Sequence, residues 1–288
     1  MSRDGAGLAE KRRLAVGRLR DCGRVVVALS GGVDSAVLLA LAVEALGRER
    51  VIAVTGRSAS LPPEELADAA AVAASLGARH EVVETKELDR PGYRRNEGDR
   101  CYHCRTEMFE ILGAISRREG GGSVAYGAIA DDLGDDRPGM EAARELGVVA
   151  PLLEAGFHKE DVRALAAELG IEVSDKPASA CLSSRIPVGD EVTEAKLRQI
   201  ELAERVLRSE GFRQYRVRHH GPVARLELDP EGDARIADPE LRARVVAGIL
   251  SAGFRFVTVD LQGYRTGSAN PGGAATLHRI EPTRSKGQ

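Results

Sequence analysis

The chain has 288 residues, enough for one large domain or two of ordinary size. Hydrophobic residues make up 43% and charged residues 30%, which excludes a wholly disordered chain. A net charge of −3 and an aromatic content of 3% argue against a broad nucleic-acid-binding surface.

The N-terminus, MSRDGAGLAEKRRLAVGRLRDCG, scatters charges where a signal peptide would carry an apolar core. No window approaches the roughly 18 apolar residues of a membrane span, so the expectation is a cytoplasmic protein without a membrane partner. From residue 24 onward, strand-like and helix-like segments alternate. RVVVALS (24–30) is a β-branched run and DSAVLLALAVEALG (34–47) a helix closed by glycine. VIAVTG (51–56) is a second strand, and PPEELADAAAVAASLG (62–77) a helix that opens on proline and ends on glycine. HEVVET, SVAYGA (123–128) and VVAP follow as further strands with helices between them. Continuous apolar strands alternating with helices predict an α/β fold, a Rossmann-like parallel sheet with helices on both faces. Ligands of such sheets bind beyond the carboxyl ends of the strands.

After Gly189 the pattern changes to a helix (193–209), two paired strands (QYRVRHH and VARLELD), a second helix (PELRARVVAGILSAG) and a last strand (FRFVTVDL). The order predicts a small α+β domain. The expected division is 1–188, 189–270 and a loose Gly- and Ser-rich tail over 271–288.

The first strand runs into SGGVDS, Ser30 to Ser35, and then a helix. Gly31 and Gly32 permit a tight turn that aims backbone N–H groups at an anion, and Ser30 and Ser35 add hydroxyls. Asp34 in a phosphate cradle would be repulsive unless Mg²⁺ bridges it to the phosphates. A Gly-rich turn with a capping Asp is the plainer alternative. The stretch lacks GxxxxGK[ST] and resembles instead the signature of the PP-loop ATP pyrophosphatases. That resemblance implies cleavage of ATP to AMP and pyrophosphate with adenylation of a substrate oxygen. It also implies that the end of the second strand, Thr55 to Ser60, covers the adenine. Gly127 lies near the end of the strand at 123–128, and Asp131 and Asp132 follow it at the ligand edge, where the carboxylates would hold Mg²⁺ or position substrate, or else form a solvated turn. Arg137 and Lys159 are candidate pyrophosphate contacts.

Cys101 and Cys104, in RCYHCR, are three apart and open a helix running to about Arg118, so both sulfurs can face one point. Arg100, Arg105 and the helix N-terminus would favour thiolates. Such a pair is redox, zinc-binding or iron–sulfur in character. Cys181, in DKPASACLSSRIPVG, lies in no periodic pattern that would bury it, so its sulfur is a candidate for chemistry. Three thiolates with an open position suit either a [4Fe–4S] cluster or a zinc with water. Cys22, before the first strand, reads as structural.

Together SGGVDS, RCYHC, GAIADDLGDDRPG, PLLEAG and DKPASACLSSRIPVG resemble the LarE family of ATP-dependent sulfur transferases over nearly the whole chain. The resemblance implies a pyridinium dicarboxylate mononucleotide as substrate, adenylated by ATP and then attacked by sulfur, for nickel-pincer cofactor synthesis. It implies one of two sulfur sources. In one branch Cys181 is itself the sacrificed nucleophile and becomes dehydroalanine. In the other, Cys101, Cys104 and Cys181 hold a [4Fe–4S] cluster that receives sulfide from a donor; a chain with all three cysteines resembles that branch. It further implies a homo-oligomer, a hexamer being among the forms it allows. Arg185, four residues after Cys181, would stabilise the thiolate or a substrate phosphate, or pair with a nearby acid. Arg216, Arg218 and Arg225 lie on neighbouring strands and, with Arg265 and Ser268, would grip the phosphate of the mononucleotide; a salt-bridged outer face is the alternative. Competing readings are a tRNA-thiolating PP-loop enzyme and a non-catalytic nucleotide- or metal-binding protein. The first needs a basic or aromatic RNA surface, and the second sits poorly with an intact SGGVDS.

Overall fold

The structure is a computed structural model that describes residues 3–134, 138–171 and 180–265. A four-stranded parallel sheet has the order β3–β2–β1–β4, built from β1 (Val25–Ala28), β2 (Val51–Arg57), β3 (Arg79–Glu84) and β4 (Ser123–Ala125). Val25, Val26 and Val27 are all buried, as a central strand covered on both faces requires. The VVAP segment, predicted as a strand, contributes only a single bridge from Val149 to Ala125. Pro151 opens a short helix (Pro151–Glu154) immediately afterwards and leaves no length for a ladder.

Two layers of helices flank this sheet. Helix α1 (Arg3–Asp21) was not anticipated among the scattered charges of the N-terminus. It buries Ala15, Val16 and Leu19 against α2 (Val33–Leu46), whose residues from Val33 to Ala42 are almost all buried. A helix that is apolar all round must be covered on more than its sheet side, which is why α1 is needed. Helix α3 (Pro63–Leu76) ends at Gly77 in the left-handed conformation. On the opposite face α4 (Pro91–Arg95) leads into α5 (Arg100–Arg118), which packs Phe109, Leu112 and Ile115 on Val26, Ile52 and Val54.

The C-terminal part has its own core and its own sheet, ordered β5 (Tyr215–His220), β6 (Val223–Leu228), β7 (Phe256–Val259). The first two are antiparallel and the last two parallel. The parallel pair needs a crossover, supplied by the helices at Pro230–Arg235 and Pro239–Ser251. Val217, Ala224, Leu226 and Leu228 face this core. The opposite face of the hairpin carries charge. Between the two parts, Leu182 and Ile186 join Tyr93, Val192, Leu197 and Ile200 in a separate apolar cluster. That cluster anchors the segment just after Cys181 between α4 and the long helix Glu194–Ser209, whose N-cap Thr193 accepts a hydrogen bond from the Lys196 N–H.

Candidate active site

The SGGVDS segment joins β1 to α2 as a closed turn. The Ser35 hydroxyl donates to the Gly32 carbonyl at 3.0 Å and accepts from the Ser30 N–H at 3.1 Å; the two serine Oγ atoms are also 3.1 Å apart. Gly32 is the N-cap of α2 and no side chain caps it, so the first-turn N–H groups remain for an anion. Gly31 has φ of 81°, and a Cβ there would collide with the carbonyl of Glu65. Gly127 lets the backbone after β4 close on this turn, since a Cβ would stand 2.8 Å from the Ser35 nitrogen. Gly31→Ala is expected to weaken ATP binding about tenfold or more, a backbone penalty of ~1–3 kcal/mol measured by calorimetric titration.

Asp34, at the start of α2, is held by Lys159, whose Nζ donates to both carboxylate oxygens at 2.8 and 2.9 Å. Asp131 accepts from the Lys159 backbone N–H at 2.9 Å and lies 3.2 Å from His158 Nδ1. Asp132 accepts from the Ile129 N–H at 3.1 Å. Asp131 therefore anchors the segment that delivers Lys159 to Asp34, while Asp132 closes the local turn at Ile129. Arg137, the other candidate pyrophosphate contact, lies outside the described residues.

Beyond the carboxyl ends of β1, β2 and β3 lies a cavity of about 340 Å³. Its lining includes Ser30, Thr55 and Gly56 together with Cys101, Cys104 and Cys181. Three cysteines from two distant stretches of sequence thus open onto the space beside the phosphate loop. Cys101 and Cys104 start α5, while the intervening side chains are engaged elsewhere. Tyr102 donates to Glu145 at 2.7 Å, and His103 Nε2 lies 3.0 Å from Asp99. Cys104 is accessible through the mouth of the cavity yet walled by protein, and this desolvation pushes its thiol well up, with Glu87, Cys181 and Cys101 adding to the effect. Cys22 lies outside the cavity lining, its thiol directed at the Arg18 carbonyl at 3.4 Å. Among the described residues no three His, Cys, Asp or Glu side chains are arranged to hold a metal ion. What the three cysteines share is the lining of one cavity, as thiol donors of the kind an iron–sulfur cluster takes.

Cys181 is held by contacts that sequence patterns did not reveal. Its Sγ is 3.0 Å from the Oγ of Ser183, a fully buried hydroxyl. The Leu182 N–H donates to the Ser60 carbonyl at 2.9 Å, and Ser60 Oγ is 2.6 Å from the Tyr93 hydroxyl. Burial first, then Cys181, push the Tyr93 phenol strongly up, so it is a neutral hydroxyl here. Glu87, another buried cavity-lining residue, accepts from the Thr85 hydroxyl at 2.7 Å. Ser183 had a weak signal, its place beside the cysteine in CLSS; Tyr93 and Glu87 had none.

Arg185 lies beneath the loop. Its Nε and Nη2 donate to Glu204 at 2.8 and 3.2 Å, and its Nη1 donates to the Ala180 carbonyl at 2.7 Å. In this geometry its guanidinium fixes the backbone that carries Cys181, and it is absent from the cavity lining. The charged face of the hairpin packs from the same side. Arg218 stands opposite Arg225 and Arg216 opposite Glu227. Glu227, fully buried, accepts from Arg218 Nε and Nη2, both at 3.0 Å, and pairs with Arg225 at 3.2 Å. Arg218 also donates to the Ser184 carbonyl at 2.6 Å, and Arg225 pairs with Asp260. Arg216 donates to the Arg265 carbonyl at 2.9 Å, and its guanidinium stacks 4.5 Å from the Tyr264 ring centroid. It has no carboxylate in ion-pair reach among the described residues, and burial, then Arg218 and Arg185, pull its pKa down. Arg265 Nη2 is 3.8 Å from Asp260. Ser268 lies outside the described residues.

Residues 17–98 match the NAD synthase family. A pyridinium-3,5-bisthiocarboxylic acid mononucleotide synthase from Lactiplantibacillus plantarum is 41% identical over 266 residues, 92% of this chain and 95% of its own length. The chain belongs to the LarE family. An uncharacterized Synechocystis protein is also 41% identical, over 86% of this chain and 92% of its own. A tRNA-specific 2-thiouridylase MnmA of Xanthobacter autotrophicus is 33% identical over a shorter span, 58% of this chain and 52% of its own length. For this LarE-family chain the PP-loop, and with it the use of ATP, falls within the matched region. Among the described residues no helix is long and apolar enough to cross a membrane.

Proposed function

We propose that this LarE-family chain adenylates a carboxylate of a pyridinium-3,5-dicarboxylate mononucleotide and converts it to a thiocarboxylate. The observation that carries the reading is the shared cavity, whose lining includes both the carboxyl end of β1 with Ser30 and the three cysteines. A carboxylate is a poor electrophile. Transfer to the α-phosphate of ATP neutralises it and supplies AMP as leaving group, after which a sulfur nucleophile attacks the acyl carbon and the C–O bond breaks.

The uncapped N-terminus of α2, with Ser30, Gly31, Gly32 and Ser35, binds the phosphates of ATP. Asp34 would hold Mg²⁺, which would supply positive charge to offset that of the phosphates, and Lys159, paired with Asp34 in this structure, would be the cation for the pyrophosphate. Thr55, at the end of β2, lies against the nucleoside; its hydroxyl is already committed to the Leu29 carbonyl at 2.8 Å, so it shapes the wall. Gly127 and Asp131 support the same cradle from β4. On the substrate side, Arg216 is the cation best placed for the mononucleotide phosphate. Arg218 and Arg225, tied through Glu227, set its orientation, and Arg265 and Ser268 complete the set.

Cys101, Cys104 and Cys181 would hold a [4Fe–4S] cluster, which when bound supplies an iron without a protein ligand as the place for the transferred sulfide. What the chain itself contributes there is orientation, through Ser183 and the Arg185-braced loop. The test is analytical. Protein purified without oxygen is expected to be brown and to contain about four irons and four acid-labile sulfides per chain. Colourless, metal-free protein after careful reconstitution would remove the cluster from the proposal, leaving Cys181 as the sulfur itself. The protein acts in the cytoplasm as a homo-oligomer and draws sulfide from a separate donor.

A further inference from the structure

Many arginines of the described structure pair with carboxylates, as Arg90 does with Glu107 and Glu110, Arg118 with Glu81 and Glu119, and Arg185 with Glu204. Arg105 is different. It makes no hydrogen bond or ion pair with a described residue, and its Nη1 is buried without a partner. Yet its place is well defined. The guanidinium lies over the Tyr126 ring, 5.3 Å from the centroid, and the stem runs so close to Gly139 that a Cβ there would stand 2.5 Å from Arg105 Cδ. The side chain lines the cavity one residue beyond Cys104 on α5. A partly buried, pre-oriented cation with no anion partner among the described residues is a receptor for an external one.

We infer that Arg105 grips the acid arm of the substrate that is not reacting. The inference rests on the functional reading above and follows from the product named for the Lactiplantibacillus plantarum relative, which bears thiocarboxylic groups at ring positions 3 and 5. Two rounds are required on one ring. In each, one arm is adenylated with loss of pyrophosphate, sulfide adds to the acyl carbon, and AMP leaves with the electron pair of the broken C–O bond. In each the other arm stays anionic, a carboxylate in the first round and a thiocarboxylate in the second, once the ring has turned over. A guanidinium fork pairs with either. The phosphates of ATP already have the α2 N-terminus, whereas Arg105 stands on the cysteine-bearing helix, so the substrate arm is the anion it meets.

The test compares wild type with Arg105→Met, which keeps the apolar stem between Tyr126 and Gly139, and with Arg105→Lys. Two probes are used, the pyridinium-3,5-dicarboxylate mononucleotide and the pyridinium-3-carboxylate mononucleotide, which lacks the second acid. AMP release and thiocarboxylate mass are measured, and ATP affinity separately. The wild type is expected to prefer the diacid by roughly 10- to 100-fold in kcat/KM. Arg105→Met should lose that factor on the diacid alone, keep the monoacid rate within about threefold and bind ATP normally, while Arg105→Lys recovers part of the preference. An equal loss on both probes makes Arg105 structural, and weakened ATP binding assigns it to the nucleotide phosphate; either overturns the inference. Wild-type protein that releases no AMP with the diacid overturns the functional reading itself, and the inference with it.

Discussion

Cys181→Ala is expected to lose sulfur transfer by at least about 10³-fold while binding ATP within about twofold of wild type. Its sulfur opens onto the cavity, and no other described cysteine beyond Cys101 and Cys104 lines that space. The phosphate turn is closed by its own serines and does not depend on the cysteine loop. Thiocarboxylate formation followed by mass spectrometry, with ATP affinity measured in parallel, checks both halves. Undiminished transfer would make the cysteine incidental. Intact mass of the wild-type chain after turnover then distinguishes the two sulfur sources. Dehydroalanine at position 181 marks sacrifice of the side chain, and an unchanged mass marks delivery from the bound cluster.

The second large effect concerns the brace under that loop. Glu204→Ala removes the buried carboxylate that accepts from Arg185 twice and from the Val217 N–H at 3.0 Å. An orphaned charge in a site only 5% exposed costs about 3–5 kcal/mol, seen as a fall in Tm of roughly 10 °C for a chain of this size. The double exchange Arg185→Met with Glu204→Leu leaves no unpaired charge and should cost markedly less than the single change. Its sulfur transfer should nonetheless stay impaired, because the Ala180 and Cys181 carbonyls lose the Arg185 donor. A single variant as stable as wild type would show that the pair does not brace the loop.

The alternation of apolar strands with helices, the SGGVDS turn after β1 and the CxxC at the head of a helix were legible because each is local. Strand period, turn chemistry and the three-residue spacing on a helix act over a few neighbouring residues, and α2, α5, β1, β2 and the β5–β6 hairpin follow them. Helix α1 was not legible: nothing in its own composition announces it, and its reason to exist is the apolar surface of α2, which only packing exposes. The VVAP segment failed as a strand because the neighbouring proline, not its own β-branched pair, set the outcome.

By itself the sequence determined the phosphate turn, the three thiols and the family, since these depend on residue identity and short spacing. Tertiary structure decided which side chains are free to act. It committed Arg185 to Glu204 and Arg218 to Glu227, tied Asp131 to the turn that brings Lys159 to Asp34, and left Arg105 and Arg216 without a carboxylate partner among the described residues. The physical reason is that a buried charge is defined by the partners within a few ångströms, and chain distance says nothing about who those partners are.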